Sequence, residues 1–253
     1  MPRRQDGKVS IEEGVVFGTG GGRNLHCDVF LPPEPGTRRT AVLLVHGGAW
    51  MHGDRSQLRG YGILLARYGL VCVASEYRLS GEAHWPAQLH DVQTALAWLQ
   101  ANAERLGVDP TRIVVSGNSA GAHLALMIAG QTPGIAAVVA IYPPTELKVG
   151  RHLDDPIRQL LGPDHTPELE REASPIHYVH PGYPPTMLVH GNADEIVPVE
   201  ASFAMYHALV QVGARVELHV FDGEPHAFDV APALGRQVAD LIALFIERKV
   251  GGH

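Results

Sequence analysis

A serine held between small residues is the first feature with chemical content. Gly117-Asn118-Ser119-Ala120-Gly121 fits G-x-S-x-G, follows the apolar run Ile113–Ser116 and precedes the helix-period stretch Ala122–Ala129. A strand that turns sharply into a helix at a serine strains the backbone, and only small neighbours leave room for the turn. The hydroxyl is then pushed outward at the positive end of a helix, where negative charge is favoured. In this setting Ser119 reads as a nucleophile. The plainer alternative is a serine that caps an ordinary helix.

A second segment suits the same chemistry. His46-Gly47-Gly48-Ala49-Trp50 directly follows the run Ala41–Val45. Acyl transfer needs donors aimed where an oxyanion forms, each lowering the barrier by about 3–4 kcal/mol. Small consecutive residues let backbone N–H groups approach closely, so Gly48, Ala49 and Ala120 are the expected donors, with His46 a brace for the loop. A serine hydroxyl also needs a base, and the base an orienting carboxylate. Of fifteen histidines, His226 in Gly223-Glu224-Pro225-His226 follows a strand ending at Phe221, whereas His219 lies inside that strand and is expected to point into the sheet packing. Asp194 follows the strand Thr186–Val189, and the order Ser119, Asp194, His226 is the one expected when such groups ride on the carboxyl ends of strands. Glu195 is the nearest rival for the acid, followed by Asp222 and Asp229.

These loops need a frame. Ile11–Leu31 reads as two strands joined by Gly18-Thr19-Gly20-Gly21-Gly22; because a strand and not a helix follows, this is a hairpin rather than a phosphate cradle. From residue 40 the chain alternates apolar strand runs with helix-period segments. The runs are 41–45, 70–74, 112–116, 135–141, 186–189 and 216–220; the helical segments lie near 58–68, 86–106, 119–130, 199–212 and 231–248. The segment that starts at Pro86 carries Leu89, Val92, Leu96, Leu99 and Leu106 on one stripe. Alternation of this kind predicts one α/β domain over 1–253, with a mostly parallel eight-stranded sheet and helices on both faces. Residues 142–184 break the rhythm, hold many prolines and are weakly periodic, which predicts a lid or pocket wall.

Composition narrows the partners. The 253 residues carry a net charge of −7 and no long basic run, which argues against nucleic acid. No apolar stretch approaches the roughly 18 residues that suggest a membrane span. The polar start Met1–Ser10 lacks a secretory apolar core, so a cytoplasmic protein is expected. Cys27 and Cys72, each in an apolar run, read as buried and reduced. His84 with His90, and His177 with His180, lack the spacing and carboxylates of a hydrolytic zinc site, so no metal and no cofactor is expected.

The motifs together resemble a known family. The segments 46–50, Glu76-Tyr77-Arg78-Leu79, Trp85-Pro86-Ala87, 117–123, His190-Gly191-Asn192-Ala193-Asp194 and His226-Ala227-Phe228 are similar to those of α/β-hydrolase carboxylesterases. The resemblance is to the branch that holds small bacterial esterases, xylan acetyl and feruloyl esterases and kynurenine formamidases, and more distantly to the hormone-sensitive-lipase family. The chain departs from the last by Ala49 in place of a third glycine, by Glu76 in place of aspartate, and by only about 40 residues ahead of the glycine loop. Asp91 matches a carboxylate that recurs on a helix of such esterases and is read as a structural ion-pair partner. The resemblance implies hydrolysis of a short-chain carboxylic ester, a small molecule, through an acyl-enzyme, with arylformamide hydrolysis or a non-catalytic ligand binder as alternatives. Trp50, His52, Trp85, Tyr142, Ile196, Val197 and Phe228 flank the motifs and are expected to wall the substrate pocket, although packing in the core is an equal reading. A homodimer through the last strand and helix is an expectation by analogy.

Overall fold

The computed structural model describes residues 2–34, 39–150 and 152–251. Its frame is one eight-stranded sheet in the order β1-β2-β4-β3-β5-β6-β7-β8. The strands are β1 (Ser10–Gly20), β2 (Arg23–Leu31), β3 (Ala41–Val45), β4 (Val71–Ser75), β5 (Ile113–Asn118), β6 (Ala137–Ile141), β7 (Thr186–Gly191) and β8 (Val216–Phe221). The pairs β1–β2 and β2–β4 are antiparallel; every other pair is parallel. The two-residue turn Gly21-Gly22 closes the first hairpin, inside the glycine-rich stretch expected to do so.

The central strands have apolar side chains on both faces, and both faces are covered. The helices α2 (Ala87–Ala101), α3 (Ala120–Gln131) and α6 (Glu200–Gln211) bury Val92, Leu96, Leu124, Met127, Met205 and Leu209 against one face. On the other face, α1 (Arg59–Ala66) and α7 (Pro232–Val250) bury Leu65, Val238, Ile242 and Phe245. Each such side chain contributes about 1.5–3 kcal/mol on leaving water. Cys27 and Cys72 are unpaired and buried on neighbouring strands.

The sheet order locates the site. After β3 the chain pairs β4 on one side of it, then crosses back to place β5 on the other. The loops that leave the carboxyl ends of β3 and β5 therefore diverge and open a crevice, the usual place for a ligand in an open α/β sheet.

Two expectations about elements are corrected, those for the helix from Pro86 and for His219, and the segment 142–184 gains detail. The helix from Pro86 stops at Ala101, so Leu106 is buried from the turns beyond it rather than from the helical stripe. Residues 142–184 contain two short helices, α4 (Asp154–Leu161) and α5 (Pro167–Glu172), and a 3-10 turn at Pro175–Tyr178. They lie against the body: Trp85 N–H donates to Leu160 O at 2.7 Å, and Leu160 and Ala173 are fully buried. His219 is about one-third exposed and faces Glu217 at 3.8 Å, because β8 is an edge strand whose side chains are incompletely covered.

Candidate active site

Between β5 and α3 the backbone of Ser119 takes φ 52° and ψ −120°, a left-handed value that L-residues avoid and that turns the side chain away from both elements. The strain is held from both sides. Ser119 N–H donates to Ile141 O at 2.9 Å, and Ser119 O accepts from His123 N–H at 3.0 Å. Gly121 lets α3 press onto β3: a Cβ there would sit 2.0 Å from Val45 O and 2.5 Å from His46 O.

Ser119 Oγ lies 3.0 Å from His226 Nε2, and His226 Nδ1 lies 2.6 Å from Asp194 Oδ2. A carboxylate on Nδ1 fixes the proton there and leaves Nε2 to accept from the serine hydroxyl. The other oxygen of Asp194 accepts from the N–H groups of Ile196 (2.9 Å) and Val197 (2.8 Å). Its Oδ2 also stands 3.2 Å from Nε2 of His190, which is wholly buried. That imidazole donates to Val197 O at 2.8 Å and accepts on Nδ1 from Ser202 Oγ at 2.7 Å. Burial alone would raise the carboxyl of Asp194, but the donors on His190, His226 and Val197 outweigh it and hold the group far below the usual carboxylate range. The rivals for the acid lie elsewhere: Glu195 is exposed, Asp222 holds Asn192 at 2.9 Å, and Asp229 holds two tyrosines.

The loop after β3 faces this turn. Gly48 has φ 111°, and a Cβ on it would lie 2.1 Å from His52 O, so this position needs glycine on both counts. Its carbonyl accepts from the N–H groups of Met51 and His52 at 3.0 and 2.9 Å, while among the described residues no backbone acceptor takes the N–H of Gly48 or Ala49. The N–H of Ala120, first residue of α3, belongs to the group that a helix leaves without an internal partner. His46 braces the loop as expected: it is buried, stacks on Tyr77 at 4.2 Å, and its Nδ1 lies 2.7 Å from Gly47 O.

Residues 27–209 match the BD-FAE family. The chain belongs to the BD-FAE family. Among curated relatives, this BD-FAE chain is 33% identical to esterase LipC of Mycobacterium tuberculosis over 87% of its own length and 61% of LipC. It is 37% identical to the arylacetamide deacetylase of Oryctolagus cuniculus over 52% of its own length and 33% of that protein. It thus spans about three fifths of the length of LipC and of two further relatives from that organism, LipQ and LipM. Among solved structures, Thermogutta terrifontis esterase 2 phosphonylated by sarin is 26% identical at a TM-score of 0.81, covering 98% of this chain and 96% of that one. The fold is that of the α/β-hydrolases, as the resemblance predicts.

In this BD-FAE protein the residues expected to wall a pocket divide. Ile196, about half exposed, and Val197 line a cavity of about 430 Å³ together with Pro144, Leu147, Leu153 and Ile157. His52 is exposed beside the glycine loop. Trp50, Tyr142 and Phe228 are instead buried and support the site from beneath. Trp50 Nε1 donates to His123 Nδ1 at 3.2 Å, and the Tyr142 ring lies 4.6 Å from that of His226 and 6.0 Å from that of Phe228. Trp85 is nearly buried and meets His123 edge-on. For Trp50 and Tyr142 the physical reason is backbone direction, since both take a positive φ that turns the side chain away from the course an extended loop would give it.

Three residues hold places around the site that the sequence reading did not assign to them. His190 stands four residues before Asp194, at the end of β7, and His123 stands one helical turn after Ser119; both spacings are visible in the sequence. Asp229 was weighed only as a rival acid, and its grip on Tyr61 and Tyr142 carried no signal because those partners come from distant segments.

Proposed function

We propose that this BD-FAE protein hydrolyses short-chain carboxylic esters of small molecules through an acyl-enzyme on Ser119. The observation that carries the reading is the continuous chain Ser119 Oγ, His226, Asp194 at 3.0 and 2.6 Å, set at a strained turn opposite a glycine loop. In the proposed reaction Ser119 Oγ attacks the ester carbonyl carbon as its proton passes to His226 Nε2. The imidazolium is held by Asp194, and the carbonyl oxygen, now negative, takes the N–H groups of Gly48, Ala49 and Ala120. Collapse expels the alcohol with the proton from His226. Water, deprotonated by the same imidazole, then attacks the acyl carbon, releases the acid and restores the serine.

Phosphonylation by sarin in a relative of this shape supports a nucleophilic reading, since organophosphonates trap activated hydroxyls. The cavity of about 430 Å³ borders the acid loop at Ile196 and Val197 rather than the serine itself, and it supports a binding place for a compact group at the edge of the site. The test is a series of p-nitrophenyl esters from acetate to laurate, on wild type and Ser119→Ala. The expectation is activity that falls beyond butyrate or hexanoate and drops about a million-fold in the variant. Turnover that survives Ser119→Ala overturns the reading. The likeness to an arylacetamide deacetylase favours a second substrate class, aryl amides and formamides, for the same residues. The ratio of kcat/KM on a matched aryl ester and aryl amide decides between them.

A further inference from the structure

Asp229 is a buried carboxylate that the proposed reaction does not use. Only 7% of the residue is exposed, and among the described residues no basic side chain lies within ion-pair distance of it. Both oxygens are nevertheless engaged. Oδ1 accepts from the hydroxyl of Tyr142 at 2.5 Å, and Oδ2 from the hydroxyl of Tyr61 at 2.7 Å. A carboxylate away from water needs such donors, and two phenols supply them without a compensating positive charge.

The elements that this carboxylate joins give it a meaning. Tyr142 Oη accepts from Asn118 Nδ2 at 3.2 Å, and Asn118 is the residue before Ser119. The Tyr142 ring lies 4.6 Å from the His226 ring, and Tyr142 N–H donates to Val189 O at 2.7 Å, on the strand that leads to Asp194. Asp229 itself sits three residues beyond His226, in the 3-10 turn Phe228–Val230, with Phe228 packed on Tyr142. One carboxylate thus ties the strand end that carries the serine, the loop that carries the histidine, and α1 through Tyr61.

We propose that Asp229 is a positioning residue for His226: by gripping the hydroxyls of Tyr142 and Tyr61 it fixes the aromatic surface on which the imidazole rests, and so its reach to Ser119. The inference rests on the hydrolase reading above. It requires that loosening the clamp change the productive geometry of bound substrate, hence kcat, more than substrate affinity. Misplacing a catalytic group by about 1 Å costs on the order of a hundredfold in rate.

The experiment compares Asp229→Asn, Tyr142→Phe and Tyr61→Phe with wild type and Ser119→Ala on p-nitrophenyl acetate. In parallel, proton NMR follows the low-field resonance of the His226 Nδ1–H shared with Asp194. Expected are a kcat lower by tenfold or more in Asp229→Asn and Tyr142→Phe with KM within about twofold, and faster exchange of that resonance with water. The paired variant Tyr61→Phe/Tyr142→Phe should be less than additive, because both phenols act through one carboxylate. Ser119→Ala should abolish turnover and keep the resonance, which separates failure of the hydrolase reading from failure of this one. Wild-type kcat and wild-type exchange in folded Asp229→Asn and Tyr142→Phe overturn the inference. Should Asp229→Asn not fold, Tyr142→Phe, which keeps the ring but loses the Asn118 contact as well as the grip, decides together with Tyr61→Phe, which removes the grip alone: wild-type kcat and exchange in both overturn the inference.

Discussion

At the scale of single residues, the site depends on where a side chain is forbidden as much as on where one is present. Gly121 is the clearest case, since any Cβ there meets two backbone oxygens at 2.0 and 2.5 Å that no rotamer change can move. Gly121→Ala should destabilise the protein by about 3 kcal/mol or more, as overpacking of a tight core does; a urea midpoint near wild type would show that β3 and α3 can separate. The same logic made Ser119 legible in the sequence, because the small residues at 117, 120 and 121 mark a turn that little else requires. Asp194 and His226 were legible from their order behind two strands. The aromatic residues were not: Trp50 and Tyr142 adopt positive φ without being glycine, so nothing in the residue type warned that their side chains turn inward. Asp229 was weighed as an acid for His226 and sits three residues from it, yet its partners Tyr61 and Tyr142 lie far away in the chain.

At the scale of elements, apolar runs fixed the strands well because parallel strands buried on both faces leave little ambiguity. Short helices were harder. With 8 and 6 residues, α4 and α5 are too short to show a clear period among so many prolines. One element contact permits a direct test. Asp91 on α2 is 2% exposed and holds Arg78, just beyond β4, by its Nε and Nη2 at 2.8 and 2.7 Å and by its backbone N–H at 2.8 Å. This is the structural ion pair that the sequence suggested. Asp91→Ala strands a largely covered guanidinium and an amide, and should cost about 3 kcal/mol in urea unfolding. A loss below about 1 kcal/mol would mean that Arg78 swings out to solvent when released.

At the scale of the whole molecule, acid should weaken the fold through an imidazole far from the surface. Burial lowers the His123 value from 6.5 to about 4. Between those values the unfolded chain binds a proton that the native protein does not, so stability falls as pH drops through this window, by about 3 kcal/mol in all. Urea midpoints from pH 7 to 4 for wild type and His123→Gln should converge toward acid, as the variant lacks this slope. Parallel curves would show that His123 is protonated in the native state. The same residue has a mechanical consequence. His123 accepts on Nδ1 from Trp50 in the glycine loop and donates its one ring proton, on Nε2, to Ala173 O, 2.7 Å away in the proline-rich segment. The proline-rich segment and the glycine loop are thus joined through one imidazole, so whatever displaces Ala173 slackens the support of Trp50. Under the proposed reaction, any movement of that segment at Ala173 is therefore passed through one side chain to the loop that would receive the carbonyl oxygen.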